Sequence, residues 1–194
     1  NPYGVYFEEM TASALLRINM DGEVLDESNY SVNAAGFTIH SAVHAARPDA
    51  GCVMHLHTDD GTAVSAQADG LLPITQTAMT LIGDLAYHDY EGIALDLDER
   101  ARLVANLGTA NNMILRNHGT MTCGENIQAA FLRMFAMERA CSMQIRALSG
   151  GVKLNMPSNA AIENVHNQMA NMSMNIADLA WAPLLRMLDA ADPS

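Results

Sequence analysis

Residues 51–57, GCVMHLH, are a short apolar run that ends in two histidines. The run's length and its bounding glycine are typical of a buried strand. Residues i and i+2 of a strand point to the same face, about 6.7 Å apart along the chain, so His55 and His57 can converge on one ion. Two polar residues can also end a strand by chance, because two ligands do not make a site. This pair lies just before a predicted helix, where α/β proteins commonly place sites.

A second apolar strand is predicted over 112–116, NMILR, and it is broken by 117–119, NHG, before 120–123 continue as strand. His118 therefore lies where a strand meets a glycine, and a neighbouring strand of the same sheet would bring it beside the first pair. Three neutral imidazoles with water or substrate form an open, catalytic type of metal site. We predict that His55, His57 and His118 are metal ligands.

Predicted helices alternate with these strands. Apolar residues recur at spacings of three and four, and several helices begin at a residue that can accept a hydrogen bond from a free amide. The helices are predicted over 33–46, from 58 or 59 to 70, from 96 to 108, from 125 or 126 to 148, and over 158–175 and 176–189. Residues 14–19 are predicted as a strand that the turn 20–23 closes, and 71–95 is the least regular stretch. This alternation predicts an α/β sandwich.

The composition indicates one globular domain spanning 1–194. The chain has 194 residues, of which 49% are hydrophobic and 16% charged, which excludes a disordered tail, a coiled coil and a collagen-like repeat. Its 10 Lys and Arg against 22 Asp and Glu give a net charge of −12, so nucleic acid and anionic membranes are poor partners. The 14 methionines are interpreted mainly as adaptable core filler.

The cellular location is predicted from what the sequence lacks. No run approaches the ~20 apolar residues that span a bilayer, and no secretory signal is present. Cys52, Cys123 and Cys141 show no CxxC spacing, so we expect a soluble protein in the reducing cytoplasm. The chain opens at 1–4, NPYG, without an initiator methionine, and we expect that residues upstream are missing.

The other histidines are weaker ligand candidates. His40 and His44 lie four apart on a predicted helix, but Ser41 stands where an HExxH hydrolase has its glutamate, so we expect no ligand role for either. His166 is expected to face solvent or a neighbouring subunit. His88 is expected in an irregular loop that lines a pocket, which makes it a candidate acid or base. GxSxG, GxxxxGK[ST] and GxGxxG motifs are absent, so serine hydrolase, P-loop and Rossmann functions lack support.

These motifs resemble the class II aldolase and adducin superfamily, whose fuculose-phosphate aldolases and ribulose-phosphate epimerases carry an HxH…NHG zinc triad. Within the superfamily, the sequences of these motifs are most similar to those of the adducin-head-like branch. The likeness covers nearly the whole chain, through 1–4, 33–49, 55–57, 72–74, 87–92, 115–119, 180–181 and 185–189. It implies a three-layer α/β/α sandwich with a largely antiparallel sheet, a helix and strand before residue 1, and a cyclic homotetramer with the metal near subunit interfaces.

The resemblance carries over the triad but not the rest of the aldolase machinery. The catalytic glutamate of the aldolases aligns with Gly36, and the serines that hold the substrate phosphate align with 34–35, which are alanines. The threonine of the aldolases' phosphate-binding turn aligns with Tyr3, whereas the glycine after it is retained as Gly4. A catalytic tyrosine of the aldolases aligns with Thr77. Loss of a general base costs about 10²–10⁴-fold in rate, and loss of hydroxyl donors weakens phosphate binding. A phosphorylated sugar substrate is therefore disfavoured.

Two classes of function fit this pattern. In the first, a divalent ion, Zn²⁺ before Fe²⁺ or Mn²⁺, serves a lyase, decarboxylase or isomerase that acts on a small non-phosphorylated carbonyl or hydroxy-acid substrate. The base would then come from His88, Glu8, Glu9 or a neighbouring subunit. A minor variant is an Fe(II) oxygenase that uses the same histidines. In the second class, the chain is a non-catalytic oligomeric module like the adducin head.

Trp181 is predicted to pack at a helix end.

Overall fold

The computed structural model describes residues 1–171 and 176–191, with the side chains of 176 and 177 left aside. Helices and strands alternate along most of this range, so the predicted α/β class is confirmed. The helices are α1 (Ala34–Ala46), α2 (Asp59–Ser65), α3 (Gln76–Ile82), α4 (Glu99–Leu107), α5 (Ile127–Ser149), α6 (Asn159–Ala170) and α7 (Ile176–Ala191). The strands are β1 (Cys52–Leu56), β2 (Leu85–His88), β3 (Asn112–Leu115) and β4 (Gly119–Gly124).

The chain forms two compact units. The first contains residues 1–48 and 91–106, and the second contains 49–90 and the described residues from 107 onwards. All four strands belong to the second unit, as do the three histidines predicted to bind metal. The second unit is therefore the one that builds the candidate site.

The sheet is mixed, with the strand order β1-β4-β3-β2. β4 pairs antiparallel with both β1 and β3, whereas β2 runs parallel to β3. The expectation of a largely antiparallel sheet is therefore wrong. A parallel neighbour needs a long crossover connection, and residues 89–111 between β2 and β3 supply one.

The long helix α5 packs against β1, β3 and β4, and α2 and α3 pack against α5. The core at this contact is apolar, and it consists of Val64, Leu71, Ala78, Leu81, Ile114, Met137, Ala140 and Cys141. Four methionines, Met113, Met121, Met134 and Met137, are at most 3% exposed, so the interpretation of methionine as core filler is confirmed for them. A buried side chain of this size contributes roughly 1.5–3 kcal/mol of hydrophobic stabilisation.

The long elements follow the sequence predictions closely. α1 begins after Asn33, whose side-chain oxygen accepts hydrogen bonds from the amides of residues 35 and 36. α5 likewise begins after Asn126, which accepts from the amide of Ala129. The second predicted helix ends early, at Ser65 instead of Gly70. Of the predicted helix 158–175, residues 172–175 lie outside the described residues.

One sequence prediction near the start of the chain is wrong. Residues 14–19 do not form a strand, since 12–14 are a 3₁₀ turn and only an isolated bridge joins Ile18 to Val24. The side chain of Asn19 accepts hydrogen bonds from the amides of Asp21 and Glu23 and so closes a tight turn there. The turn over 20–23 was expected, but the flanking residues are too few to build a strand ladder.

The stretch 71–95 contains two regular elements that were not predicted, α3 and β2. Thr75 caps α3, because its hydroxyl accepts a hydrogen bond from the amide of Ala78 at 3.1 Å. Pro73 and Gly83 therefore mark the two ends of a short helix. They do not interrupt an irregular segment.

The C-terminal helices pack on α3 and α5. α7 covers the predicted 176–189, and the Trp181 ring meets Phe131 of α5 edge-on, with centroids 5.9 Å apart. The packing role predicted for Trp181 is thus confirmed, but the residue lies inside α7 and not at a helix end. Among the described residues, no helix is long and apolar enough to cross a membrane.

Candidate metal centre

The first two imidazoles lie where β1 ends. His55 is the fourth residue of the strand and pairs with Met121 of β4, and His57 follows the strand's last residue. Nδ1 of His55 lies 3.0 Å from the carbonyl oxygen of Thr120. A carbonyl only accepts hydrogen bonds, so Nδ1 carries the proton and Nε2 keeps its lone pair for an ion. Such a bond to the outer nitrogen is typical of metal-binding histidines.

The third imidazole is presented by the hairpin between β3 and β4. Leu115 pairs with Gly119, so only 116–118 form the loop. Among the described residues, Asn117 is the one non-glycine with positive φ, at 57°, a conformation that asparagine tolerates better than most residues. The Asn117 amide donates to the carbonyl of Ser65 at 3.1 Å, and the His118 amide donates to that of Leu115 at 3.0 Å. These bonds fix the backbone that carries His118.

Gly119 allows β1 and β4 to approach each other beside the histidines. A Cβ at this position would lie 2.4 Å from the carbonyl oxygen of Leu56 and 3.2 Å from Cδ2 of His57. The first distance is a severe overlap with backbone, which cannot move aside as a flexible side chain would. Glycine is therefore required by close backbone approach.

The three rings meet in one cluster. The ring centroids of His55, His57 and His118 are 4.6 to 4.8 Å apart in each pair. Their candidate ligand atoms all lie within 4.8 Å of one another, and no other trio of His, Cys, Asp or Glu in the described ranges was found to do so. The two Nε2 atoms of His55 and His57 are 2.8 Å apart. Two nitrogens at 2.0–2.1 Å from a tetrahedral Zn²⁺ are about 3.3 Å apart, so a small outward shift would admit an ion.

The surroundings favour neutral imidazoles and access from one side. Burial lowers the pKa of His118, and the nearby charges of His57 and His88 lower it further. The neutral form is the one that binds metal. His57 is exposed, whereas His55 and His118 are half-buried. Three candidate ligands with one side open to solvent match a catalytic metal site better than a closed structural one.

His88 occupies a different environment from the one expected. It is the last residue of strand β2, not part of an irregular loop, and it is only 3% exposed. The loop expectation failed because Gly83 and Gly92 interrupt the apolar residues on both sides of β2, so the strand was not apparent in the sequence. His88 is close enough to His118 to influence its pKa, but its burial keeps it from direct contact with bulk solvent.

Several residues predicted to act in the site belong to the first unit, whereas the triad belongs to the second. Tyr3 is 65% exposed, Gly4 has a φ of 85°, and Glu8 and Glu9 lie on a 3₁₀ turn. Gly36 lies in the first turn of α1, where an added Cβ would meet no atom closer than 3.7 Å. A Cβ at residue 36 is thus sterically allowed among the described residues.

The remaining histidines and Thr77 lie on helices. His40 and His44 are on α1, and burial lowers the pKa of His40 to about 4, with His44 adding to the effect. Thr77 is in the first turn of α3, which packs against α5 and α6. His166 is exposed on α6, and its ring covers Gly83 so closely that a Cβ there would lie 1.8 Å from Nδ1.

Sequence reasoning missed Tyr90 as a neighbour of the cluster. Its ring meets that of His118 edge-on, with centroids 6.4 Å apart, and the residue is 53% exposed. The signal that could have found it is its position, two residues after the end of β2, since loops that follow strands commonly carry functional groups. An exposed phenol ring thus lies beside one of the three histidines.

Comparison with known proteins identifies relatives over most of the chain. Residues 1–145 match the family model described as the Class II Aldolase and Adducin N-terminal domain. A Caulobacter vibrioides protein named "Putative aldolase class 2 protein" is 50% identical over 194 residues, which are 100% of this chain and 76% of that protein. Mouse alpha-adducin is 48% identical over 151 residues, 76% of this chain but 20% of adducin.

A solved structure shows the same fold. The crystal structure of an aldolase II superfamily protein from Pseudomonas syringae superimposes with a TM-score of 0.92 at 46% sequence identity. The alignment covers 98% of this chain and 77% of that chain. The fold and the sequence therefore point to the same relatives.

Proposed function

Because the chain belongs to the class II aldolase and adducin family, we propose that His55, His57 and His118 bind one divalent metal ion for lyase-type chemistry. The observation that carries the proposal is the convergence of the three rings, with Nδ1 of His55 bonded to the Thr120 carbonyl. Zn²⁺ fits a neutral imidazole set with an open position, and Fe²⁺ or Mn²⁺ are the alternatives. When bound, such an ion supplies a Lewis acid that polarises a carbonyl or hydroxy-acid oxygen.

The substrate class is proposed to be small and non-phosphorylated. Residues 34 and 35 are alanines, so they offer no hydroxyl to a phosphate. The net charge of −12 provides no compensating attraction for a dianion. A carbonyl or hydroxy-acid group, held mainly at the metal, depends less on these missing contacts.

The proton-transfer group is proposed to be Tyr90. Gly36 has no side chain to act as base, and His88 is 3% exposed. The Tyr90 phenol is exposed and lies against His118, so its oxygen can donate or accept a proton at a group held beside the triad. Glu8, Glu9 and a residue of a neighbouring subunit remain the alternative sources.

An assembly role without turnover, as in an adducin head, has less support. The Caulobacter relative, named as a putative aldolase, matches 100% of this chain at 50% identity, whereas alpha-adducin matches 76% of it at 48% identity. The three-layer sandwich and the cyclic homotetramer remain predictions of the family likeness, and the cytoplasmic location remains a prediction from the cysteine pattern and the lack of a signal segment. An Fe(II) oxygenase stays a minor alternative that identification of the metal would decide.

The test is a metal titration of the chelator-stripped protein by calorimetry, with Zn²⁺, Mn²⁺ and, without oxygen, Fe²⁺. We expect one ion per chain for the wild type, loss of tight binding in His57→Ala, and unchanged binding in the control His166→Ala. The three proteins are then assayed on a panel of hydroxy acids and aldehydes, and their oligomeric states are measured.

Equal metal binding by His57→Ala and the wild type would overturn the assignment of the site. Metal binding and normal assembly without turnover on any substrate class would instead favour the non-catalytic alternative. Turnover that requires Fe²⁺ and oxygen would identify the oxygenase.

A further inference from the structure

Glu138 of α5 accepts hydrogen bonds from two threonines with both of its carboxylate oxygens. The Thr58 hydroxyl donates to Oε2, and the Thr120 hydroxyl donates to Oε1 at 3.2 Å. The Thr120 hydroxyl also lies 3.4 Å from the sulfur of Met134. A hydroxyl has one proton to donate, and a carboxylate is a much stronger acceptor than a thioether, so the bond to Glu138 prevails.

Each threonine is joined directly to a segment that carries a metal ligand. Thr58 follows His57 in the chain, and its oxygen also accepts from the amide of Gly61 at 3.3 Å, capping α2. Thr120 is fully buried and lies two residues after His118. The carbonyl of Thr120 is the group that accepts the proton of His55 Nδ1. Glu138 therefore bonds, through Thr58, the residue that follows His57. Through Thr120 it bonds the strand that carries His118 and the residue whose carbonyl faces His55.

The space around the carboxylate is closely fitted. A Cβ on Gly61 would lie 2.7 Å from Oε1 of Glu138, 2.7 Å from the Thr58 oxygen and 3.1 Å from a methyl carbon of Thr120. α2 can approach α5 this closely only because residue 61 has no side chain. The carboxylate thus fills a place where α2, α5 and β4 meet, and no other described group is shown to bond both hydroxyls.

We propose that Glu138 is a positioning residue that fixes the three histidines in the arrangement that binds metal. This inference rests on the proposed function of the triad. Glu138 acts through Thr58 and Thr120 and is not itself a ligand. A carboxylate suits the place because both oxygens accept, whereas an amide would direct its NH₂ group at one of the hydroxyls. Loss of such supporting bonds typically weakens metal binding 10–100-fold.

The experiment compares Glu138→Gln with Glu163→Gln, a matched change of an exposed glutamate on α6. Both full-length variants and the wild type are titrated with Co²⁺, whose visible spectrum reports ligand geometry, and with Zn²⁺. We expect Glu138→Gln to keep one ion per chain but to raise Kd about 10–100-fold with an altered Co²⁺ spectrum. An unchanged Kd and spectrum would overturn the inference.

A double-variant cycle tests the route through the threonines. Thr58→Val removes one of the two donated bonds and provides the comparison if Glu138→Gln does not fold. Because both changes break the same bond, the effect of Glu138→Gln on Kd should be smaller in the Thr58→Val background than alone. If the two substitutions change Kd by independent factors that simply multiply in the double variant, Glu138 does not act through Thr58, which would contradict the proposal.

A measurement on metal-free protein separates this inference from the function on which it rests. Nitrogen-15 NMR reports which ring nitrogen of His55 is protonated. The wild type should show the Nδ1–H form, and Glu138→Gln should show a mixture. If the wild type binds no metal but this difference is seen, the proposed function fails and the positioning role stands. If the wild type binds metal and Glu138→Gln changes neither Kd nor the protonated nitrogen, the positioning role fails.

Discussion

Three consecutive residues, Asn117, His118 and Gly119, meet three different local demands. Asn117 takes a positive φ of 57°, which turns the chain between β3 and β4. His118 supplies one of the proposed ligand nitrogens, and Gly119 leaves room for the carbonyl of Leu56. Each residue type follows from its own backbone or chemical constraint. Substitution at each position should therefore fail in a distinct way.

Gly119→Ala should destabilise the fold, because its Cβ would lie 2.4 Å from the Leu56 carbonyl oxygen. We expect a loss of about 2–4 kcal/mol in the free energy of unfolding, measured by urea denaturation. The control is Gly150→Ala, since a Cβ at residue 150 meets nothing within 4 Å. Equal stability of the two variants would contradict the close approach of β1 and β4.

Tyr90→Phe should remove the proposed proton-transfer group while keeping the ring against His118. Loss of general acid–base catalysis predicts a fall in kcat/KM of about 10²–10⁴-fold, with Zn²⁺ affinity unchanged. Steady-state kinetics and a parallel metal titration measure both quantities. Tyr30→Phe changes another exposed tyrosine, which lies in the first unit, and serves as control. Full activity in Tyr90→Phe would exclude this role.

His40 should make stability fall in acid. Burial lowers its folded-state pKa to about 4, whereas a histidine in the unfolded chain titrates near 6.5. Between these values the unfolded state binds more protons, so the contribution is complete above pH 6.5 and is lost as the pH falls towards 4. The shift corresponds to about 3 kcal/mol.

Urea denaturation between pH 4 and 7.5 measures this loss. His40→Gln should flatten the acid side of the profile, and the exposed-site variant His166→Gln should leave it as in the wild type. A profile that is equally steep in His40→Gln would show that other groups cause the acid loss.

At the scale of elements, α5 ties the second unit together. Gln144 of this helix is fully buried. Its Nε2 donates to the Gln67 side chain at 2.6 Å and to the Gly70 carbonyl at 2.7 Å. Its Oε1 accepts from the Leu72 amide at 2.7 Å. One side chain therefore satisfies the backbone of the segment that joins α2 to α3.

Gln144→Leu should leave the buried Gly70 carbonyl and the half-buried Leu72 amide without this partner. Each unsatisfied buried group costs about 1–3 kcal/mol, so we expect the unfolding free energy to fall by about 2–4 kcal/mol. Arg139→Leu, on an exposed position of the same helix, is the control and should change stability by less than about 0.5 kcal/mol. If Gln144→Leu does not change the unfolding free energy measured by urea denaturation, the hydrogen bonds of Gln144 make no net contribution to stability.

The elements that could be predicted are those with a long pattern or a clear boundary. α5 has 23 residues and an asparagine cap, and β1 and β3 are mainly apolar runs. α3 and β2 lie in the stretch 71–95, where Pro73, Gly83 and Gly92 break the apolar residues into short pieces, so no periodicity could be followed there. In the 14–19 segment, the apolar residues have no partner strand beyond one bridge, so local propensity did not produce a ladder.

At the scale of the whole molecule, the triad could be predicted but its support could not. The spacing of His55 and His57 and the strand end at His118 are visible in the sequence. The bond from His55 to Thr120 depends on the register of β1 against β4, which no local pattern fixes. The parallel direction of β2 likewise depends on the path of the residues between β2 and β3. Tertiary pairing decides these features.

The central claim is that three imidazoles hold one metal ion at an open site. X-ray absorption spectroscopy of the Zn²⁺-loaded chain tests it directly. We predict one zinc per chain with three histidine nitrogens at about 2.0–2.1 Å and one further light-atom ligand. A chain that retains no zinc after gel filtration, or a zinc shell with sulfur or with fewer than three imidazoles, would contradict the claim.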